Sequence, residues 1–324
     1  MMQTVAVVIP YFQRQPGILA KALRSVLAQQ GLEQAGVRLD VIVVDDASPV
    51  PARTELAELM AAHPGLIRII EQPNGGPAAA RNKALDNVAP GTEFVAFLDS
   101  DDEWTPPHLQ HALQALGQGY DFYFTDFYQL NQQVSAFARA RRIDVAQHPA
   151  LPGAPQLHHY SGDMQDQVLR GNIIGTPTVV YRYASVPALR FREEFVYAGE
   201  DYLFWLDLSS RTSRIAFSSE CECVCGAGVN IFSGSGWGTE KSLIRLHHEM
   251  KYKKAIGRLF PLSAEQRAAN QAAVRTLRQS FVADVLHRIL HRKPFGAVLR
   301  KQAGIDARSV LYFVPLALRV LLRR

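Results

Sequence analysis

The run Glu93-Phe94-Val95-Ala96-Phe97-Leu98-Asp99-Ser100-Asp101-Asp102-Glu103-Trp104 decides how the rest of the chain is read. Its first half is aromatic and aliphatic, follows the turn pair Pro90-Gly91, and predicts a short buried strand. Its second half crowds Asp99, Asp101, Asp102 and Glu103 together. Carboxylates at the end of a buried strand are costly unless they are paired or hold a cation. Oxygen ligands suit Mg²⁺ or Mn²⁺, and a sparse carboxylate site leaves such an ion able to grip a diphosphate as well. The competing reading is a solvated acidic turn capping the helix that starts near Pro106.

Upstream of this stretch, Thr4-Val5-Ala6-Val7-Val8-Ile9 is a continuous aliphatic run ending at Pro10, the pattern of a parallel strand buried on both faces. Leu19, Leu23, Val26 and Leu27 form a helical stripe within Pro16 to Gln30. Leu39 to Val44 predicts a second strand, ending in Asp45-Asp46-Ala47-Ser48. A helix over Pro51 to Ala62 follows, then a strand at Leu66 to Ile70. The turn Asn74-Gly75-Gly76-Pro77 opens a further helix running to about Val88. Downstream, Phe122-Tyr123-Phe124 predicts a fifth strand. Strands alternating with helices across short joints predict a doubly wound, mostly parallel α/β sheet, whose ligands bind beyond the carboxyl ends of the strands. Those ends carry Pro10-Tyr11, Asp45-Asp46 and Asp99-Ser100-Asp101, so three strands aim polar groups at one crevice.

After about Tyr128 the alternation weakens. Asn131 to Gly162 is rich in Gln, Arg, His and Pro and reads as a long loop. Thr178 to Tyr181 predicts another strand, and Glu200-Asp201 precedes a helix carrying Leu203, Phe204, Leu206 and Leu208. Cys221, Cys223 and Cys225 alternate on an apparent strand, all facing one way, and read as small core residues rather than zinc ligands. Gly234 to Gly238 reads as a flexible loop able to fold over a ligand.

A length of 324 residues, 48% hydrophobic and 20% charged, describes a globular protein with a sizeable core. No apolar run reaches the ~18 residues of a membrane span. The N-terminus enters a strand directly, without a secretory signal. Three clustered cysteines argue against a disulfide framework, and a cytoplasmic location follows. The net charge of +5 is concentrated late: residues 285–324 hold nine Lys/Arg and one acid, Asp306. The remainder from about Thr239 reads as helical and basic. Ser309 to Leu322 is mostly apolar and ends in Arg323-Arg324. It fits either an interfacial helix, peripheral on the anionic inner face of the plasma membrane, or a core-packing terminal helix. No motif supports nucleic acid as a partner.

Five of these stretches together resemble family 2 glycosyltransferases of the GT-A fold: Val8 to Tyr11, Val44 to Ser48, Asn74 to Asn82, Phe97 to Asp102 and Gly199 to Asp201. The resemblance covers roughly residues 4 to 225, and the expected division is a GT-A domain over 1–225 followed by a helical region over 226–324. It implies inverting transfer of a sugar from a UDP-sugar, with Mn²⁺ or Mg²⁺. Pro10 and Tyr11 would line the nucleotide pocket, Asp46 would bond the uracil or ribose, and Asn74 and Arg81 would lie nearby. Asp99 would touch the ribose or sugar beside Ser100, Asp101 would bind the metal, and Asp201, in preference to its neighbour Glu200, would be the base. Arg81 as a helix-surface arginine is the plainer alternative.

Inverting transfer needs a base to take the acceptor hydroxyl's proton and positive charge on the departing diphosphate. The Gln-x-x-Arg-Trp motif of processive members is absent, which implies single addition. By the same resemblance His247 or His248, beyond the matched region, would complete the metal shell, and a helix-surface histidine pair is the alternative reading. Trp104 and Trp237 are open to sugar stacking or to packing. The implied partners are the nucleotide-sugar donor and a glycan or polyprenyl-diphosphate-linked acceptor. A non-catalytic sugar-nucleotide-binding module is the alternative. A nucleotidyltransferase or a dinucleotide-binding oxidoreductase is disfavoured, because Tyr11-Phe12-Gln13-Arg14 is not a glycine-rich loop.

Overall fold

The aliphatic runs of the first hundred residues become adjacent parallel strands because their apolar residues can be buried on both faces. In the computed structural model, which describes residues 3–229, 235–239, 241–311, 313–315 and 318, β1 is Gln3–Tyr11, β2 is Val37–Asp45 and β3 is Ile67–Glu71. Strand β4, Phe94–Phe97, lies on the other side of β1 and is buried at every residue. Helices α1, Ile18–Leu27, and α4, Gly76–Leu85, connect these strands. The helix expected over 51–62 is two short ones, α2 over Ala52–Glu55 and α3 over Ala57–Ala62, separated at the buried Leu56. Helix α5, His108–Gly117, follows the two-residue strand β5, Glu103–Trp104.

Strand β6 is Phe122–Tyr128. The expected loop over 131–162 instead holds helix α6, Ala136–Ala140, and an antiparallel pair, β7 at Ala150–Leu151 and β8 at Ala154–His159. Its backbone pairs there with β10, Ile215–Val224, through Ala216↔His159 and Ser218↔Leu157. That pairing is non-local, so no periodicity in the segment itself announced it. Helix α7 is Met164–Arg170, and β9, Val180–Arg182, is antiparallel to both β4 and β6. The sheet order is β3-β2-β1-β4-β9-β6-β10-β8-β7, with β5 paired to β10. Because β9 is antiparallel to both neighbours, β6 and β10 run in the same direction as β1 to β4, and their carboxyl ends share one edge. Register shifts flank Cys221 in β10, so the three cysteines do not alternate on one face. Cys223 is buried, Cys225 packs against the same core, and Cys221 lies beside Tyr128.

Two compact units result, 1–193 with 204–229 and 194–203 with 230–324, and the division falls inside helix α8, Glu200–Ser209. The second unit contains α9, Ser242–Leu259, α10, Ala264–Leu290, α11, Gly296–Ile305, and α12, Arg308–Leu311. A capping box between Ser263 and Gln266 starts α10. Leu243 and Leu246 meet Phe281 and Val285 in an apolar cluster. Asp306 accepts from Arg278 at 2.7 and 2.9 Å, Lys254 at 3.0 Å and Ser309 at 2.6 Å. Its burial would raise the carboxyl, but these donors outweigh burial and hold it well below the usual carboxylate range. Arg288 is buried against Asp284 at 2.6 Å, so part of the basic excess is spent inside the unit. Residues 312, 316–317 and 319–324 of the expected amphipathic tail lie outside the described residues, as does Gly234 of the glycine-rich loop.

Candidate active site

The acid-rich loop leaves β4 at the shared carboxyl edge and is held from three sides by neighbours distant in sequence. Arg81 on α4 donates to Asp99 Oδ1 at 2.6 Å. Arg81 is 4% exposed and its guanidinium stands 5.3 Å over the Phe191 ring, so it is not a helix-surface arginine. Gln13, after β1, donates from Nε2 to Ser100 Oγ at 3.1 Å and accepts the Val229 amide at 3.2 Å. The amide of Gly228 donates to Asp101 Oδ2 at 2.9 Å, and that of Gly226 to Asp102 Oδ1 at 2.9 Å. These glycines arrive because β5 pairs antiparallel with β10, Trp104 opposite Cys223, and turns the segment after β10 onto the loop.

Both glycines are demanded by space. A Cβ on Gly226 would lie 1.7 Å from the Asp101 carbonyl oxygen, and one on Gly228 would lie 2.4 Å from Asp101 Oδ2. Sequence reading missed Gln13, Asp102, Gly226 and Gly228 as site residues. The Gly226-Ala227-Gly228 run directly after a strand was the available signal for close backbone approach.

The electrostatics match a cation site. Burial, and then the neighbouring Asp99 charge, raise the Asp101 carboxyl to about 6. Asp102 is pushed well above the usual range by burial first, and then by Cys225, Asp99 and Asp101. Carboxylates that destabilise one another's charge in a half-buried loop suit a hard divalent ion with oxygen ligands. Asp101 and Asp99 are the residues that would hold it.

The expected nucleotide-side residues divide. Asp46 accepts from Gln72 Nε2 at 2.7 Å and from the Gly75 and Gly76 amides, both at 2.8 Å. Asn74 is exposed, and its amide donates to the Asp46 carbonyl at 2.9 Å. In this structure the Asp46 carboxylate therefore shapes the turn that presents Asn74 and opens α4. Pro10 is half-buried at the strand end. The expectation that Tyr11 lines the pocket is corrected: it is fully buried, and its hydroxyl donates to Glu55 at 2.9 Å. An aromatic at the last position of a central strand falls on a face covered by helices, so its ring joins the core. Ser100 is likewise buried, at 4% exposure, with its hydroxyl on Gln13. Trp104 is buried with its indole donating to the Pro177 carbonyl at 2.5 Å, which makes it a packing residue and not a sugar platform.

In the second unit, Glu200 and Asp201 occupy the first turn of α8, both half-buried. Asp201 Oδ1 accepts the Tyr202 amide at 2.8 Å. Gly199, in front of them, has φ +92°, and a Cβ there would fall 2.3 Å from the Tyr252 ring. Only glycine fits both the backbone and the space. His247 is buried with Nδ1 2.9 Å from Gln302 Oε1, and His248 lies 4.6 Å from the Tyr197 ring. Burial and the adjacent His247 push His248 down to about 4, which leaves it a neutral imidazole at neutral pH. Trp237 is 54% exposed and contacts His287 at 4.6 Å.

Residues 6–182 match the profile of Glycosyl transferase family 2. The chain belongs to that family. This glycosyltransferase is 36% identical over 239 residues to the succinoglycan biosynthesis protein ExoW of Rhizobium meliloti (strain 1021), covering 71% of each chain. Its fold is that of GT-A enzymes. The S. aureus TarS 1–349 complex with UDP-GlcNAc superposes with a TM-score of 0.58 at 16% identity, covering 98% of this chain and 89% of that one. The mannosyltransferase PcManGT from Pyrobaculum calidifontis, in complex with GDP-Man and Mn²⁺, gives 0.58 at 15% identity, covering 99% and 87%. The glycosyltransferase thus carries Asp99, Asp101 and Asp102 within the family-matched segment, and Gly226 and Gly228 outside it.

Proposed function

We propose that this glycosyltransferase moves one sugar from a UDP-sugar to an acceptor hydroxyl with inversion, in a divalent-metal-dependent reaction that builds a polysaccharide. One observation carries the reading: Asp99, Asp101 and Asp102 are gathered at the carboxyl edge of the sheet, braced by Arg81 and by the Gly226 and Gly228 amides. The likeness to a succinoglycan biosynthesis protein supports a glycan acceptor, and the likeness to complexes holding UDP-GlcNAc, or GDP-Man with Mn²⁺, supports the donor class and the ion. When bound at Asp101, Mn²⁺ or Mg²⁺ supplies positive charge against the leaving diphosphate.

The chain's own residues do the rest. Asp46, through the Gly75-Gly76 turn, positions Asn74 at the nucleotide side. Arg81 holds Asp99 in orientation. Asp201 accepts the proton of the acceptor hydroxyl as that oxygen forms its bond to the anomeric carbon. The bond from that carbon to the diphosphate oxygen breaks, and its electron pair leaves with the nucleotide.

Asp101→Asn tests the metal side. Isothermal titration of UDP with Mn²⁺ is expected to lose at least roughly 10- to 100-fold in affinity, the range that loss of even an outer-shell partner causes. In a panel of nucleotide sugars with Mn²⁺, Mg²⁺ or chelator, turnover should require the ion and a uridine nucleotide. Unchanged UDP affinity in Asp101→Asn, or full turnover in chelator, would overturn the assignment.

Among the described residues no helix is long and apolar enough to cross a membrane. The acceptor class we favour is a polyprenyl-diphosphate-linked glycan at the inner face of the plasma membrane, reached through the basic tail. Leu311, Val314 and Leu318 are 76%, 67% and 55% exposed, as an interfacial face requires. Replacing Arg319, Arg323 and Arg324 by Glu spares the Asp306 cluster and should abolish flotation with anionic liposomes. Equal flotation of variant and wild type would remove the membrane from this proposal.

A further inference from the structure

Apart from the acids at the sheet edge, a second group of ionisable side chains lies between α5 and β10. Glu222 on β10 is a carboxylate only 1% exposed. Its Oε1 accepts from His111 Nδ1 at 2.7 Å. Its Oε2 lies 3.0 Å from His108 Nδ1 and accepts the Tyr123 hydroxyl at 2.8 Å. Burial alone would raise this carboxyl, but the His108 and His111 bonds outweigh it and keep it below its usual value. Glu220, two residues earlier, is exposed, and the ligating atoms of His111, Glu220 and Glu222 all lie within 4.8 Å of one another. The register shifts on either side of Cys221 are the local irregularity that accompanies this gathering. Gln156 on β8 reaches the far nitrogen of His111 at 3.1 Å.

We propose that His111, Glu220 and Glu222 form a second divalent-cation site, distinct from Asp101, that takes Zn²⁺. One imidazole and two carboxylates are a borderline donor set that suits zinc better than Mg²⁺. The ligands differ in accessibility in a useful way. Glu222 is anchored in the interior by His108 and Tyr123, which fix its orientation as outer-shell partners do. Glu220 faces solvent and gives the ion a way in.

Zinc–ligand bonds of ~2.0–2.2 Å set neighbouring donor atoms roughly 3.3–3.6 Å apart. The His111–Glu222 pair therefore opens slightly and Glu220 swings inward. The ion takes the place of the proton between His111 Nδ1 and Glu222. In the neutral ring that proton moves to Nε2, where Gln156 turns its carbonyl to accept it. A fourth position remains for water.

The position gives the site a structural consequence. Thr105 donates its amide to the Glu222 carbonyl at 2.9 Å, and Trp104 pairs with Cys223. The site thus clamps the helix that follows the acid loop to the strand that leads into Gly226 and Gly228. Bound zinc would rigidify the frame around Asp101 without joining the sugar-transfer chemistry.

The test is zinc titration of the full chain without nucleotide, by calorimetry and thermal unfolding, on wild type, Asp101→Asn, Glu220→Gln and His111→Gln. Wild type and Asp101→Asn should each bind one Zn²⁺ at this site and gain roughly 5 °C at a hundredfold excess over Kd. Glu220→Gln, an exposed change that leaves the fold intact, should lose at least tenfold in affinity, and His111→Gln more. Co²⁺ in place of zinc should give visible bands of a low-coordinate site in wild type that vanish in both variants. Absence of binding, binding indifferent to Glu220→Gln and His111→Gln, or binding abolished by Asp101→Asn alone would each overturn the proposal. Failure here leaves the Asp101 assignment intact, because that assignment is read from UDP binding.

Discussion

Asp201→Asn is expected to lower kcat by about 10²- to 10⁴-fold, the usual worth of a general base, while donor affinity stays within a factor of about three. That loss corresponds to about 3–5 kcal/mol of barrier. The amide keeps the shape of the carboxylate and its acceptance of the Tyr202 N–H, so the first turn of α8 stays capped. What it removes is the oxygen that, in the proposed reaction, receives the acceptor's proton. Glu200→Gln, one position earlier on the same turn, points elsewhere around the helix and should stay within about tenfold of wild type. The measurement is steady-state transfer with a uridine nucleotide sugar, with calorimetry of UDP alongside. If Asp201→Asn retained more than a tenth of wild-type kcat, or Glu200→Gln were the dead variant, the base would have to be reassigned.

Gly226→Ala should be the most damaging conservative change in the first unit. Its new methyl would sit 1.7 Å from the Asp101 carbonyl oxygen, and that atom is backbone, so no rotamer relieves the clash. The segment must move away, and Asp102, 5% exposed, then loses the Gly226 amide. Overpacking of about 1–3 kcal/mol plus a comparable cost for a buried acceptor without its donor gives about 2–6 kcal/mol of destabilisation. A Tm drop of at least roughly 4 °C follows for a domain of this size. Gly228→Ala separates the two functions of the cradle. Its methyl meets Asp101 Oδ2 at 2.4 Å, a side-chain atom that can rotate. Its stability should fall less and its Mn²⁺-dependent UDP affinity more. Gly236→Ala, with no atom of the described residues within 4 Å of its Cβ, is the control and should match wild type. Equal Tm values for Gly226→Ala and Gly236→Ala would show that the segment after β10 does not lie against the acid loop.

Local pattern carried the sequence reading furthest in the first hundred residues. Strands β1, β2 and β4 are central and largely buried, so each carries an apolar run, and their acid or proline ends marked the carboxyl edge. Beyond Tyr128 the strands were less visible. Strand β9 has three residues, and β8 lies near the end of the sheet order with an irregular burial pattern. Such segments are strands because of what they pair with. Tyr11 shows the same limit at a single residue: the motif placed it at the strand end, and only the packed structure shows its ring in the core with its hydroxyl on Glu55.

Beyond Asp201, which only the family resemblance brought forward, the amino-acid sequence by itself determined the α/β alternation, the polar strand ends along the carboxyl edge, and Asp99 and Asp101 as acids to consider. It could do so because strand burial and strand-end polarity are written within a few consecutive residues. Only the tertiary structure decided that Arg81 is a buried partner of Asp99, that Gln13, Gly226 and Gly228 brace the acid loop, and that His111, Glu220 and Glu222 converge between a helix and a strand. Each of those contacts joins segments far apart in the chain. Whether a polar side chain there is paired or exposed depends on neighbours that folding alone supplies.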